Sequence, residues 1–260
     1  MNKTYSLDGV QAILSYPFKQ QGWQSKFAIG AALFFANYIV PIIPSIFMAG
    51  YFAKIMQASI EDGAEPVLPE WDNWGELFSR GFKVTCASIV YLLPALVLMI
   101  GGYVLMEAPV IMLSISSSAS RYSSMSNNMV GLIMICVFAG MAMFFLGMML
   151  YLPMLLVLPL AITHAIAKNS FVAAFHIRAW WSIFRANVWG FFAALAVISG
   201  VYLILFMAVY MLYFTVILCF LMPIGMGIIV VYLSTVGAPM LGEAYRKGVD
   251  NLVATAAVSA

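Results

Sequence analysis

Long stretches without a single charged residue constrain this chain more than any motif it carries. No Asp, Glu, Lys or Arg occurs from Phe27 to Ala53, from Val84 to Met106, from Met129 to Ala167, or from Val188 to Gly242. A helix rises about 1.5 Å per residue, so about 20 residues cross a hydrocarbon core of about 30 Å. Composition agrees, with 64% of the 260 residues hydrophobic and 8% charged, against about 25% charged in a soluble domain. So few charges cannot cover that much apolar side chain in water. Lipid is the solvent that accepts it. The sequence therefore predicts an all-α, polytopic helical bundle in the cell membrane. A net charge of +2 gives no basis for nucleic-acid binding.

The stretches differ in what they allow. Val84 to Met106 fits one span. Val188 to Gly242 is long enough for two, with Pro223-Ile224-Gly225 as the break. Met129 to Ala167 is too long for one straight span and short for two, and Pro153 and Pro159 supply possible kinks. Pro41 and Pro44 divide the first stretch, which fits a hairpin of two short helices, a re-entrant loop, or one kinked span. The excess of Lys and Arg on cytoplasmic loops favours a stretch that enters and returns. About six helical legs then form three hairpins, both termini are cytoplasmic, and Arg121 is the one cation outside.

On this reading the chain is a single membrane domain. Residues 8–58 form an interfacial helix and a hairpin, and 59–83 an acidic linker and an interfacial helix. Residues 84–167 are the second hairpin, with a serine-rich external loop at 107–128. Residues 168–187 form an interfacial helix, 188–247 the third hairpin and 248–260 a tail. An aromatic, weakly basic segment precedes each hairpin, which gives three loosely similar units. The clearest such segment runs from Phe171 to about Asn187. Ile177, Trp181, Phe184 and Val188 share one helical face, and Arg178 and Arg185 another. That pattern suits a helix at the headgroups, with arginines meeting phosphates and Trp180 and Trp181 at the interface. It also suits a cytoplasmic connector packed on the bundle.

Acidic residues concentrate in one place: Glu61, Asp62, Glu65, Glu70, Asp72 and Glu76. Asn73 can cap the helix that follows Pro69, with Glu76 completing a capping-box-like pair. Trp71 and Trp74 are expected to anchor the turn at headgroup level. Gly50-Tyr51-Phe52, this acidic linker, and then Leu68-Pro69-Glu70-Trp71-Asp72-Asn73-Trp74-Gly75-Glu76-Leu77-Phe78 resemble the signature of a prokaryotic membrane-protein family, domain of unknown function (DUF) 4013. The resemblance implies a multi-pass prokaryotic membrane protein and carries no activity, substrate or cofactor.

Chemistry-bearing patterns are few. The acidic spacing matches no EF-hand loop and reads as solvated. His164 and His176 have no second ligand at helical spacing. Met141, Met143, Met148, Met149 and Met154 read as soft packing, and Cys86, Cys136 and Cys219 as small buried hydrophobes. No Walker, nucleophile-elbow, zincin or Cys-x-x-Cys motif occurs. No charge lies inside a proposed span, which argues against ion coupling. The expectation is accordingly of no catalytic residue, no metal and no cofactor. The leading reading is a non-enzymatic component that organises membrane lipids, a protein partner or a homo-oligomer. A permease for an uncharged or lipid-like solute is the rival, lined by Asn37, Thr85, Ser88, Ser199, Thr215, Ser234 and Thr235. An intramembrane enzyme would need Glu107, Glu243, His164 and His176 to converge.

Overall fold

In a computed structural model, which describes residues 7–61, 66–116, 127–211 and 221–259, the chain is helical, with no strand among the described residues. In chain order the helices are α1 (Leu7–Lys19), α2 (Trp23–Ala36), α3 (Ile43–Glu61), α4 (Trp74–Ser116) and α5 (Asn127–Ala167). A 3-10 turn (Val172–Phe175) then leads to α6 (Ile177–Ala186), α7 (Val188–Tyr210) and α8 (Met222–Ser259). Four of these, α4, α5, α7 and α8, are long and apolar enough to cross a bilayer. Their outward faces are bare Leu, Ile, Val, Phe and Met, as hydrocarbon requires.

The contacts divide the chain into two compact units where the sequence reads as one domain. The first holds residues 1–87 and 159–260, the second residues 88–158. In the first unit α8 is the central helix, packed by α1, α2, α3, α6 and α7. Hydrocarbon gives apolar side chains no reason to leave it, so helices in lipid associate through close packing and interhelical hydrogen bonds. Small residues mark those approaches here. Gly30 of α2 faces Val231, and Gly227 of α8 faces Phe34, which sets α2 antiparallel to α8. Gly242 lies against the Met56 carbonyl of α3, and Gly248 against the Ile183 carbonyl of α6. The closest approach joins α3 to α4. A Cβ at Gly50 would overlap the Leu77 carbonyl, and one at Gly81 would overlap the Ile46 carbonyl.

The second unit uses the same device. A Cβ at either Gly102 of α4 or Gly140 of α5 would sit 2.6 Å from the other's carbonyl oxygen. Met143 packs on Gly101, while Met141, Met148 and Met149 face outward.

Several boundaries differ from the sequence reading. No separate interfacial helix precedes the second span: α4 runs unbroken from Trp74, through Pro94 and Pro109, to Ser116. At about 1.5 Å per residue its 43 residues extend to roughly twice the thickness of a hydrocarbon core. The helix also consumes the start of the expected serine loop, from Glu107 to Ser116, and α5 takes Asn127 and Asn128; residues 117–126 lie outside the described residues. Pro153 and Pro159 lie within α5 without ending it. The expected surface helix from Phe171 is divided at His176 into the 3-10 turn and α6. The tail continues α8 to Ser259. Pro223 falls in the first turn of α8, where its missing N–H costs nothing. The first uncharged stretch is a hairpin: α2 and α3 pack on one another around a turn at 37–42, so one kinked span does not form.

Gly50→Ala is expected to destabilise the protein by about 1–3 kcal/mol, the usual cost of overpacking. Gly200→Ala, with nothing within 4 Å of its added carbon, is expected to leave stability unchanged or slightly raised. Thermal unfolding in detergent checks both.

Candidate functional site

The described part of the acidic linker, residues 66–73, folds inward; Asp62 and Glu65 lie outside the described residues. Its apolar residues explain why: a solvated loop has no use for a leucine and a tryptophan beside its acids, and here Leu68 and Trp71 are both buried. Trp71 stacks flat on Tyr51 of α3, ring centroids 4.0 Å apart and planes 4° from parallel. Burying linker backbone requires partners for its carbonyls, and the neighbouring helices supply them. Lys26 of α2 donates to the Leu68 carbonyl at 2.7 Å and pairs with the Glu70 carboxylate at 2.7 Å. The Tyr51 hydroxyl donates to the Pro69 carbonyl at 2.9 Å. The Trp71 indole N–H donates to the Lys26 carbonyl at 3.1 Å. Gln20 closes the far end, donating to the Pro66 carbonyl and accepting from the Leu68 N–H, each at 3.3 Å.

Beyond the linker, the start of α4 forms as its sequence predicts. Asn73 Oδ1 accepts the Glu76 N–H at 3.2 Å, and Asn73 Nδ2 donates to the Glu76 carboxylate at 3.3 Å. The Asn73 N–H, donated to Asp72 Oδ1 at 2.8 Å, holds that carboxyl below the usual carboxylate range. A lowered carboxyl pKa stabilises the fold above its ordinary value, and that contribution is lost as pH falls through the lowered one. Trp74 is exposed and packs on Phe47, while Phe78 spans Phe47 and Phe82. Leu77 is fully buried at the Gly50 crossing, and a carbon added at Gly75 would meet Asn73 Oδ1 at 3.9 Å, an ordinary contact. The motif from Gly50 to Phe78 is thus one structural assembly: a crossing of two helices and the linker folded across it.

Four of the six residues read as interfacial are exposed: Trp74, Arg178, Trp181 and Arg185. Trp71 and Trp180 are buried and serve the interior instead, Trp180 donating its indole N–H to the Ala174 carbonyl at 3.1 Å. Helix α6 presents three faces. Trp180 and Ile183 point into the fold, where Ile183 meets Gly248 of α8. Arg178 and Arg185 lie on the opposite side. Ile177 and Trp181, with Phe184 beside Trp181, form an exposed apolar strip about a quarter-turn from each of the other two faces. Asn187 and Asn251 hold this helix to α8, donating to the Ala244 carbonyl at 2.8 Å and the Ala186 carbonyl at 2.9 Å.

A small cleft, walled in part by Ala53, Val84, Ala165 and Ile166, lies in the first unit between α3, α4 and the end of α5. Gln57, Arg80, Lys83 and Asn169 line it. Each is engaged: Arg80 with Glu76 and Gln57, and Lys83 with both the carbonyl and side-chain oxygens of Asn169. None of the proposed permease-lining residues takes part in this cleft. Thr235 donates instead to the Tyr232 carbonyl, Asn37 to the Leu33 carbonyl, and Thr215 lies outside the described residues. Of the groups an enzyme would need, His164 shares a hydrogen bond with Tyr245 at 2.8 Å and Glu243 pairs with Lys247. His176 is exposed ahead of α6, and Glu107 belongs to the other unit. Among the described residues no three His, Cys, Asp or Glu side chains come together as metal ligands.

The profile of a family described as a protein of unknown function, DUF4013, matches residues 33–214. That is well over half of the chain. The protein belongs to the DUF4013 family. No curated protein and no solved structure matches it. The family match covers the Gly50–Phe78 assembly, α4 to α7 and the hairpin turn, and leaves α1 and all of α8 outside.

Sequence reasoning missed Lys26 and Gln20. Both stand more than forty residues before their linker partners, a spacing that carries no signal. The hint available was Leu68 and Trp71 themselves, apolar residues among acids. Lys26→Ala and Tyr51→Ala are expected to loosen the DUF4013 linker, increasing protease cleavage within residues 59–73 several-fold. Glu70→Gln, changing a carboxylate that is 71% exposed, should leave cleavage near the parent rate.

Proposed function

We propose that this DUF4013 protein is a non-enzymatic component of the prokaryotic cytoplasmic membrane that organises lipids at the cytoplasmic headgroup layer. Both termini would face the cytoplasm, and a protein partner or a second copy would assemble on the same layer. The observation that carries the reading is the geometry of α6. A helix anchored by one side to α8, with an apolar strip beside a strip of arginines, meets two solvents at once. Ile177 and Trp181 suit the acyl boundary, and Arg178 and Arg185 suit phosphate oxygens. Trp74, exposed at the start of α4, is a second residue of the same amphipathic kind.

Each arginine near an anionic surface contributes about 1 kcal/mol, so the pair contributes about 2 kcal/mol, a factor of roughly thirty in association. Arg178→Ala/Arg185→Ala protein, purified in mild detergent from membranes rich in anionic phospholipid, is therefore expected to lose most of its co-purifying anionic lipid while retaining zwitterionic lipid. Phospholipid analysis of the eluate reads this directly. Equal anionic lipid on parent and variant would remove the reading.

A further inference from the structure

The first hairpin carries its own depth gauge. Its two legs are each tied to the linker by an ion pair, Lys26 of α2 with Glu70 and Lys54 of α3 with Asp72 at 3.9 Å. The carboxylate side chains of Glu70 and Asp72 are 71% and 69% exposed. An exposed carboxylate does not sit in hydrocarbon, so both pairs mark where water begins. From that line α2 has ten residues left, Phe27 to Ala36, and α3 has eleven, Ile43 to Ala53. At about 1.5 Å per residue the legs reach about 15 Å and about 17 Å, roughly half of a 30 Å core.

The turn between them is built to stay there. Five of the six N–H groups from Asn37 to Ile43, those of Asn37, Tyr38, Ile39, Val40 and Ile43, are bonded to carbonyls between Phe34 and Pro41; Ile42 is the exception, and Pro41 has no N–H to satisfy. Asn37, the one amide side chain of the turn, is bonded to Ser45 at 2.7 Å and to the Leu33 carbonyl at 3.1 Å, and the turn's other polar group is the hydroxyl at the end of the Tyr38 ring. A turn facing water would take Gly, Asn or Asp where the backbone is left-handed. Here that position is Ile42, at φ 76°, a strained conformation for a β-branched residue that keeps the tip apolar. Phe35, Tyr38, Ile39, Val40, Ile42 and Ile43 stand bare around it.

We propose that α2 and α3 form a re-entrant hairpin that enters from the linker side, ends among the acyl chains near the bilayer midplane, and returns to the same face. Its partner is lipid hydrocarbon, and its tip never meets water. The proposal requires a bilayer around the protein; it does not require the lipid-organising role of α6.

The test uses full-length protein in sealed liposomes, with Cys86, Cys136 and Cys219 replaced by alanine. Ile39→Cys and, as a second position, Val40→Cys are treated with a charged maleimide applied outside or trapped inside. Both residues are exposed, so neither change removes packing. Neither cysteine is expected to react from either side, though both should react after solubilisation. Asp72→Cys should react from one side only. A bimane on residue 39 should be quenched most by nitroxide near the acyl-chain end and least by headgroup nitroxide. Reaction of the tip from the side opposite Asp72→Cys would make the hairpin a full crossing and overturn the proposal. So would reaction from the same side, which would place the tip in water. Failure of the membrane reading itself would look different: protein remaining monodisperse with neither detergent nor lipid.

Discussion

Close backbone approach at glycine is what the first unit depends on. In water, apolar faces would drive α2, α3 and α7 onto α8. In lipid that drive is absent, because an acyl chain is as good a neighbour as a leucine. What remains is contact too close for lipid to replace, and hydrogen bonds that lipid cannot make. Gly50 against the Leu77 carbonyl and Gly81 against the Ile46 carbonyl supply the first. The linker supplies the second, with Lys26, Tyr51, Trp71 and Gln20 exchanging bonds across chain separations of up to 48 residues. The contact of α1 with α8 adds two more, since the Tyr16 hydroxyl of α1 donates to the Thr235 carbonyl at 2.7 Å and the Tyr232 hydroxyl of α8 donates back to the Leu14 carbonyl at 3.0 Å.

Much of this was legible, and for a single reason. A charge is so costly in hydrocarbon that its absence over twenty or more residues leaves few alternatives. The blocks from Val84, Met129 and Val188 therefore became α4, α5, α7 and α8, while Pro223-Ile224-Gly225, expected as the break, lies within the start of α8. Asn73 and Glu76 were readable as a cap because capping is local chemistry. What could not be read was whatever depends on distant partners. Glu76, Arg80 and Lys83 look like the polar face of a surface helix. They are the opening turns of a long helix, their charges absorbed by Arg80–Glu76 pairing and by Gln57 and Asn169. Trp71 and Trp180 were placed at headgroups by residue type alone, and burial against Tyr51 and Ala174 overrode that preference.

The family motif gains a physical meaning from this. Gly50, Leu77 and Tyr51 make the crossing of α3 and α4, and Leu68, Pro69, Glu70 and Trp71 make the strap that holds it. Tyr51, Leu68 and Trp71 hold the crossing and the strap together. A signature can therefore be distinct in sequence and still say nothing of a reaction. The residues suited to meeting something outside the fold lie elsewhere, on α6 and around the hairpin tip.

The cations show why counting charge is weaker than placing it. The positive-inside argument treats Lys26, Lys54, Arg178 and Arg185 alike. In the fold they divide. Lys26 is almost wholly buried, its charge spent on Glu70 and a carbonyl, and Lys54 faces Asp72. These two locate the linker against the hairpin and have little field left for lipid. Arg178 and Arg185 are exposed on a helix with no acidic side chain of its own. Their charge remains available to phosphate. On the two proposals made above, the lysines would mark where the first hairpin leaves water, and the arginines would face the headgroups.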